Sequence, residues 1–234
     1  LCKRTREHAF KRLVRRLRSR ASLKKRVMCN QDDLHKPFVY FALQLQPEES
    51  TSALGGFFSN QMNAIEAIRE ILPDGWWICI KENPYQRYMY RDSPFYMRAR
   101  QWPDVKFIDD SANSQDLIKK SRIVASITGT VGYEALLMDK SCVHFGDAWY
   151  GGLPNAFRFK NTLDLEEISC LEGDAQELNE AMKAKMRLAG DGLVYPWAYG
   201  YYDQKVNWPE LMRTTAKSLA RISNSASSSE HCNE

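Results

Sequence analysis

An α/β fold, a Rossmann-like parallel sheet with helices on both faces, is what this sequence predicts from residue 37 to residue 222. Three observations predict it. Five short apolar runs of strand length alternate with segments of helical periodicity, the pattern of right-handed βαβ crossovers. The runs are continuously apolar, as strands covered on both faces must be. The glycine-bearing, polar and charged clusters follow the carboxyl ends of the runs, the edge on which such sheets bind ligands.

Taken in order, PFVYFALQ from Pro37 is the first strand, and a Glu/Ser/Thr/Gly loop follows it. A helix is expected from about Phe58 to Leu72, because Met62, Ile65, Ile68 and Leu72 share one face and Pro73-Asp74-Gly75 stops it. Trp76 to Lys81 (WWICIK) is the second strand, and a short helix lies around Phe95–Gln101. Strand Val105–Ile108, helix Gln115–Ser121, strand Ile123–Ile127, helix Tyr133–Met138 and strand Ser141–Phe145 complete the alternation. Beyond it come an aromatic, glycine-rich loop (FGDAWYGGLPNAFRF), a helix over Ala175–Leu188, a second aromatic loop and a last helix near Trp208 to Ile222. Residues 223–234 are polar and low in complexity, the composition of a disordered tail.

Residues 1–36 stand apart as a basic arm or linker. Residues 1–26 hold twelve Lys or Arg and one acid, Glu7, a charge of +11 that leaves −7 for the rest of a chain totalling +4. Phe10, Leu13, Val14 and Leu17 give that arm a narrow apolar stripe at helical spacing. Such a helix suits an interlobe linker, and also suits peripheral contact with anionic membrane. Nucleic acid would be held only non-specifically. No run of about eighteen apolar residues marks a membrane span, and no apolar stretch marks a signal peptide, so a cytoplasmic place is expected, peripheral on the inner face of the membrane if the arm binds lipid. Six scattered cysteines without a CxxC pair suit free thiols and give no zinc site.

Candidate binding residues cluster on the predicted ligand edge. The first strand runs into Gln44 to Ser50, which includes Gln46; the second ends in Lys81-Glu82-Asn83-Pro84. Thr128-Gly129-Thr130-Val131-Gly132 joins the fourth strand to its helix, where small residues let backbone N–H groups approach an anion. Thr130 is also a natural N-cap. Glu134, in the first helical turn, complements the helix dipole or accepts hydroxyl hydrogen bonds from a ribose or sugar. Lys81 leaves an apolar strand where a cation suits a phosphate or carboxylate. Asp109-Asp110 reads as a solvated acidic pair, and the loop around Trp149 as packing or a face for a ring. No metal and no cofactor are expected, only a nucleotide-activated sugar as substrate.

Three stretches, FALQLQPEES, LPDGWWICIKENP and ASITGTVGYEALLMDKSCVHFGDAWYGGLP, in that order and spacing, resemble the capsular polysaccharide biosynthesis proteins, a group that includes Kdo transferases of the GT-B type. The resemblance covers about Val39 to Pro154. It implies the donor-side half of a two-lobed glycosyltransferase of capsular or surface polysaccharide synthesis, its acceptor a glycan or glycolipid held mainly by another lobe. On matching positions, Gln46-Pro47 and Lys81 to Pro84 line the cleft, Thr128 to Gly132 meet the donor phosphate, and Glu134 meets the sugar or ribose. Asn83 stands where the family commonly has histidine, so a titrating acid there is not available. Only 36 residues precede the first strand, too few for an acceptor lobe. A fragment of a longer enzyme, a lobe supplied by another chain, or a non-catalytic binding or scaffold module in assembly or export are the expectations. A sugar-nucleotide epimerase would need a self-contained acid/base set that the sequence does not offer.

Overall fold

The structure, a computed structural model, describes residues 28–29, 34–83, 86, 91, 93–109 and 111–188. The predicted basic helix, the second aromatic loop, the last helix and the tail lie outside them. The chain divides after Leu178 into two units. Of the second, only residues 179–188 are described, as the carboxyl part of a helix that begins in the first.

The elements are β1 (Met28–Cys29), β2 (Phe38–Ala42), α1 (Glu49–Ser52), a 3-10 turn (Gly56–Ser59), α2 (Gln61–Glu70), β3 (Trp77–Lys81), α3 (Ser93–Ala99) and β4 (Val105–Ile108). After these come α4 (Ser114–Lys120), β5 (Ile123–Ser126), α5 (Val131–Leu136), β6 (Cys142–His144), β7 (Ala156–Arg158), α6 (Leu165–Ser169) and α7 (Ala175–Leu188). The seven strands form one sheet in the order β1-β4-β3-β2-β5-β6-β7, and every pairing is parallel. The predicted fold class is therefore the observed one, with two strands more than expected. β1 lies inside the segment read as an arm: Met28 pairs with Phe107 and Cys29 with Ile108. β7 lies in the stretch read as an aromatic loop, with Phe157 opposite Val143.

The alternation of strand side chains sorts the core into two layers. On one face Val39, Phe41, Ile78, Ile80, Ile123, Ala125 and Val143 pack with Met62, Ile65 and Ile68 of α2, Tyr96 and Ala99 of α3, and Leu165 and Ile168 of α6. These residues share one buried cluster, which explains why α2 keeps its apolar positions on a single stripe. The opposite face carries Tyr40, Cys79, Val124, Cys142 and His144, all buried, beneath α4 and α5, whose Leu117, Ile118, Ala135 and Leu136 are buried in turn. Two covered faces require strands such as FVYFA and WICIK to be apolar throughout.

Helix starts follow side-chain caps where the sequence provides them. Asn60 accepts from the Met62 amide at 3.3 Å and Asn113 from the Gln115 amide at 2.8 Å. Asp164 caps α6 by accepting from the Glu167 amide at 3.0 Å. Thr130 does not cap α5. Its φ of −59° and ψ of −19° are already helical, and no side-chain bond to the following amides forms.

Candidate functional site

In the sheet order the chain leaves β2 toward β3 on one side and reaches β5 on the other. The carboxyl ends of β2 and β5 therefore diverge, the place where open parallel sheets bind ligands. Gln44, just past β2, spans this crevice. Its amide oxygen accepts from the Thr128 backbone N–H at 2.8 Å, and its amide nitrogen donates to Thr128 Oγ1 at 3.3 Å. Thr128 Oγ1 in turn donates to the Ser50 carbonyl at 3.1 Å. Gln61, at the start of α2, closes a second reciprocal pair with the Gln44 backbone at 2.8 and 2.9 Å. Three loops from distant parts of the chain are thus fixed by buried amides that each donate and accept.

The TGTVG loop is tighter than a phosphate cradle alone demands. The Gly129 N–H donates to Ser126 Oγ at 3.2 Å, and a Cβ on Gly129 would lie 2.7 Å from that same oxygen. A Cβ on Gly132 would lie 2.5 Å from Cζ of Tyr150. Both small residues make room for the protein's own side chains. The N–H groups of Thr128, Gly129 and Gly132 are taken internally, the last by the Gly129 carbonyl at 3.1 Å. Those of Thr130 and Val131 precede any intrahelical acceptor.

On the face covered by α4 and α5, Lys81 is buried at the end of β3, and its Nζ donates to Ser114 Oγ at 2.7 Å. The Tyr40 hydroxyl meets the same Ser114 oxygen at 3.4 Å. Burial pushes the Tyr40 hydroxyl up to about 12, with the Ser114 hydrogen bond opposing and the negative charge of Glu134 adding to the rise. Glu134 itself is exposed in the first turn of α5. Buried Lys81 and Tyr40 therefore meet at Ser114, and the charge of the exposed Glu134 carboxylate acts on Tyr40.

On the other face the loops after β2 and β3 are tied by Arg91. Its Nε donates to Glu82 Oε2 at 2.8 Å, and its Nη2 to Glu82 Oε1 at 3.2 Å and to the Gln44 carbonyl at 2.8 Å. Its Nη1 reaches Gln46 Oε1 at 3.2 Å. Tyr96 donates to Glu82 at 2.7 Å. Gln86 pairs with the Gln46 backbone at 2.7 and 3.0 Å, and the Gln46 side chain also bonds the Ser59 carbonyl. Asn83, half-buried, gives its N–H to Glu82 at 2.9 Å and its carbonyl to Gln86 at 2.9 Å.

The predicted site residues thus fall into three groups around one edge. Thr128 and Gly129 floor the crevice, Lys81 and Glu134 share the α4/α5 face, and Gln46 and Asn83 belong to the Arg91 network. Gly132 packs against Tyr150. Gln44 was read only as part of the loop after the first strand, and Ser114 and Arg91 escaped the sequence reading. A glutamine directly after an apolar strand was the available signal for the first, whereas Ser114 and Arg91 act across 33 and 47 residues with no local pattern. Asp109 turns inward on its own loop, accepting from the Ser111 amide at 2.8 Å. Among the described residues no group of three His, Cys, Asp or Glu could hold a metal, and no helix is long and apolar enough to cross a membrane.

Residues 3–154 match the capsule polysaccharide biosynthesis protein family. The chain belongs to that family. Protein FixF of Sinorhizobium fredii is 33% identical over 118 residues, which is 48% of this chain and 26% of FixF. Among solved structures, the β-Kdo 2,7 transferase of Thermosulfurimonas dismutans KpsC is similar over 67% of this chain and 51% of its own, at 17% identity and a TM-score of 0.44. The UDP-GlcNAc 2-epimerase of Methanocaldococcus jannaschii, in complex with UDP-GlcNAc and UDP, is similar over 73% and 48%, at 12% identity and a TM-score of 0.45. This member of the capsule family spans about half the length of these solved chains and about a quarter of FixF.

Proposed function

We propose that this chain is the donor-binding half of a glycosyltransferase of capsular or surface polysaccharide synthesis, and that it holds a nucleotide-activated sugar at the β2/β5 crevice. Family membership supports the glycosyltransferase-like role. The observation that carries the finer reading is the polar patch on the α4/α5 face, where buried Lys81 and Tyr40 both meet Ser114 and the charge of exposed Glu134 acts on Tyr40.

In this reading Lys81 and the Thr130 and Val131 amides face the donor phosphates and stabilise the charge that develops as the phosphate departs. Glu134 accepts from ribose or sugar hydroxyls and fixes the anomeric carbon for attack. No metal and no cofactor are assigned. The acceptor, a glycan or glycolipid, is held mainly outside the described residues. The basic residues 1–26 supply a cytoplasmic, peripheral contact with anionic lipid. That contact requires vesicle binding to weaken when residues 1–26 are removed.

Calorimetric titration of CMP, UDP and CDP tests the reading. One of the three is expected to bind, and Glu134→Gln with Lys81→Met is expected to weaken it at least tenfold, because each removes a charge-assisted hydrogen bond worth about 1.5–3 kcal/mol. Unchanged affinity in the double variant would remove these residues from the site. Nucleotide binding without transfer is what an isolated donor half should show, whereas no binding would favour the alternative, a non-catalytic scaffold module of polysaccharide assembly or export, for which Asn83 in place of a titrating histidine speaks.

A further inference from the structure

Two buried donors converge on the hydroxyl of Ser114. Lys81, 6% exposed at the end of β3, donates from Nζ to Ser114 Oγ at 2.7 Å. Tyr40, 1% exposed on β2, donates its hydroxyl to the same oxygen at 3.4 Å. Burial pushes the Tyr40 hydroxyl up to about 12, so it keeps its hydrogen and stays a donor at neutral pH. A serine hydroxyl has one hydrogen and two lone pairs. With Lys81 and Tyr40 both aimed at the oxygen, the two lone pairs are taken, and the hydrogen points away from both. Ser114 opens α4, just past the carboxyl end of β4, and so lies on the ligand edge. Its two partners are buried, whereas Ser114 itself is only half-buried. The hydrogen is therefore turned to the open side of that edge.

We infer that the Ser114 hydroxyl is a direct ligand contact that donates its hydrogen to a phosphate oxygen. Lys81, at 6% exposure, offers a ligand little surface of its own. Ser114 carries the effect of that charge outward, because an ammonium bonded to the oxygen polarises the O–H and makes it a stronger donor. A phosphate oxygen accepts without donating, which suits a position whose offered group is a hydrogen. An anionic acceptor also gains more from the nearby ammonium than a neutral carbonyl or hydroxyl would. The contact belongs to the side chain and not to the amides of α4, of which Gln115 already gives its N–H to Asn113 Oδ1 at 2.8 Å. The inference rests on the donor-half reading above and adds the residue through which Lys81 acts on the ligand.

The test is calorimetric titration of the full chain with pyrophosphate and with whichever of CMP, UDP and CDP binds. Ser114→Ala removes the hydroxyl, Ser114→Cys keeps nearly the same size but offers only a weak donor, and Ser114→Thr keeps the hydroxyl. The alanine and cysteine variants are each expected to weaken both probes about tenfold, the loss of one charge-assisted donor. The threonine variant should stay within about twofold of the native chain, since it keeps that donor. Cysteine separates this role from a packing role, which would let it hold native affinity. It also keeps a weak acceptor for Lys81, so the comparison survives if the alanine variant folds poorly. Native affinity in the cysteine variant, or threonine as weak as alanine, would overturn the inference. Nucleotide binding that falls with Lys81→Met but not with Ser114→Ala or Ser114→Cys defeats this inference and leaves the donor-half reading. Pyrophosphate binding that falls with Ser114→Ala while no nucleotide binds defeats the donor-half reading and leaves Ser114 its contact with phosphate.

Discussion

Replacing Gly132 by alanine sets two effects of opposite sign against each other. Gly132 is the second residue of α5 and is buried, with no positive φ to forbid a side chain. On helix propensity alone, Gly→Ala gains up to about 1 kcal/mol. The new methyl, however, would lie 2.5 Å from Tyr150 Cζ and 2.7 Å from Cε2. Tyr150 cannot swing away freely, because its ring is fully buried against His144 at 5.9 Å and Trp149 at 5.6 Å. Overpacking of this kind costs about 1–3 kcal/mol, so the net expected effect is a loss of roughly 0–2 kcal/mol after the propensity gain. Urea denaturation of Gly132→Ala reads this directly, and Tyr150→Leu supplies the second corner of a double-mutant cycle. With leucine at 150 the clash is gone, and the alanine should become neutral or stabilising. A stabilising Gly132→Ala in the native background, or the same effect in both backgrounds, would refute the packing account and restore the ligand cradle as the reason for glycine.

Burial raises the Cys142 thiol from 9.0 to about 12 and the Tyr40 hydroxyl from 10.0 to about 12. Both groups stay protonated in the folded chain while the unfolded chain begins to ionise. Stability from Cys142 is therefore full below about pH 9 and that from Tyr40 below about pH 10; above those values each falls toward about pH 12, by up to roughly 1.4 kcal/mol per pH unit. Denaturation at pH 8, 9 and 10 should show that decline, reduced in Cys142→Ala; a flat profile would contradict it. Glu82→Gln leaves buried Arg91 without its counter-charge and is expected to cost about 3–5 kcal/mol, checked by the same melts. A chelator is expected to leave nucleotide affinity unchanged in calorimetry, and a loss of affinity would mean that a metal, not Lys81, neutralises the phosphates.

Most of the sheet was legible because burial on both faces writes itself as unbroken apolar runs, and β4 was read at its observed limits. The helix over Ala175–Leu188 was equally plain from its periodicity. What escaped was short. β1 is two residues inside a basic segment and β7 is three inside an aromatic one, and neither length can display a period. For α6 the signal was present, since Asp164 and Glu167 have the spacing of a capping box, but it was passed over. At the site, chemistry carried by single residues next to strand ends (Gln46, Lys81) or in a first helical turn (Glu134) could be proposed from sequence. The contacts that set their roles could not. Tyr150 lies eighteen residues beyond Gly132, and Thr128 lies 84 residues beyond Gln44.

The Gln44–Thr128 bridge also bears on how a ligand would be received. Ordering a loop residue costs about 1–2 kcal/mol of conformational entropy, and a loose binding loop charges that cost to the ligand. Here the loops after β2 and β5 are ordered by each other and by Gln61, so folding meets the cost before any ligand arrives. Binding at this crevice should then proceed with little rearrangement, its rate set by encounter rather than by loop closure. Its affinity should depend on the few groups that remain unengaged.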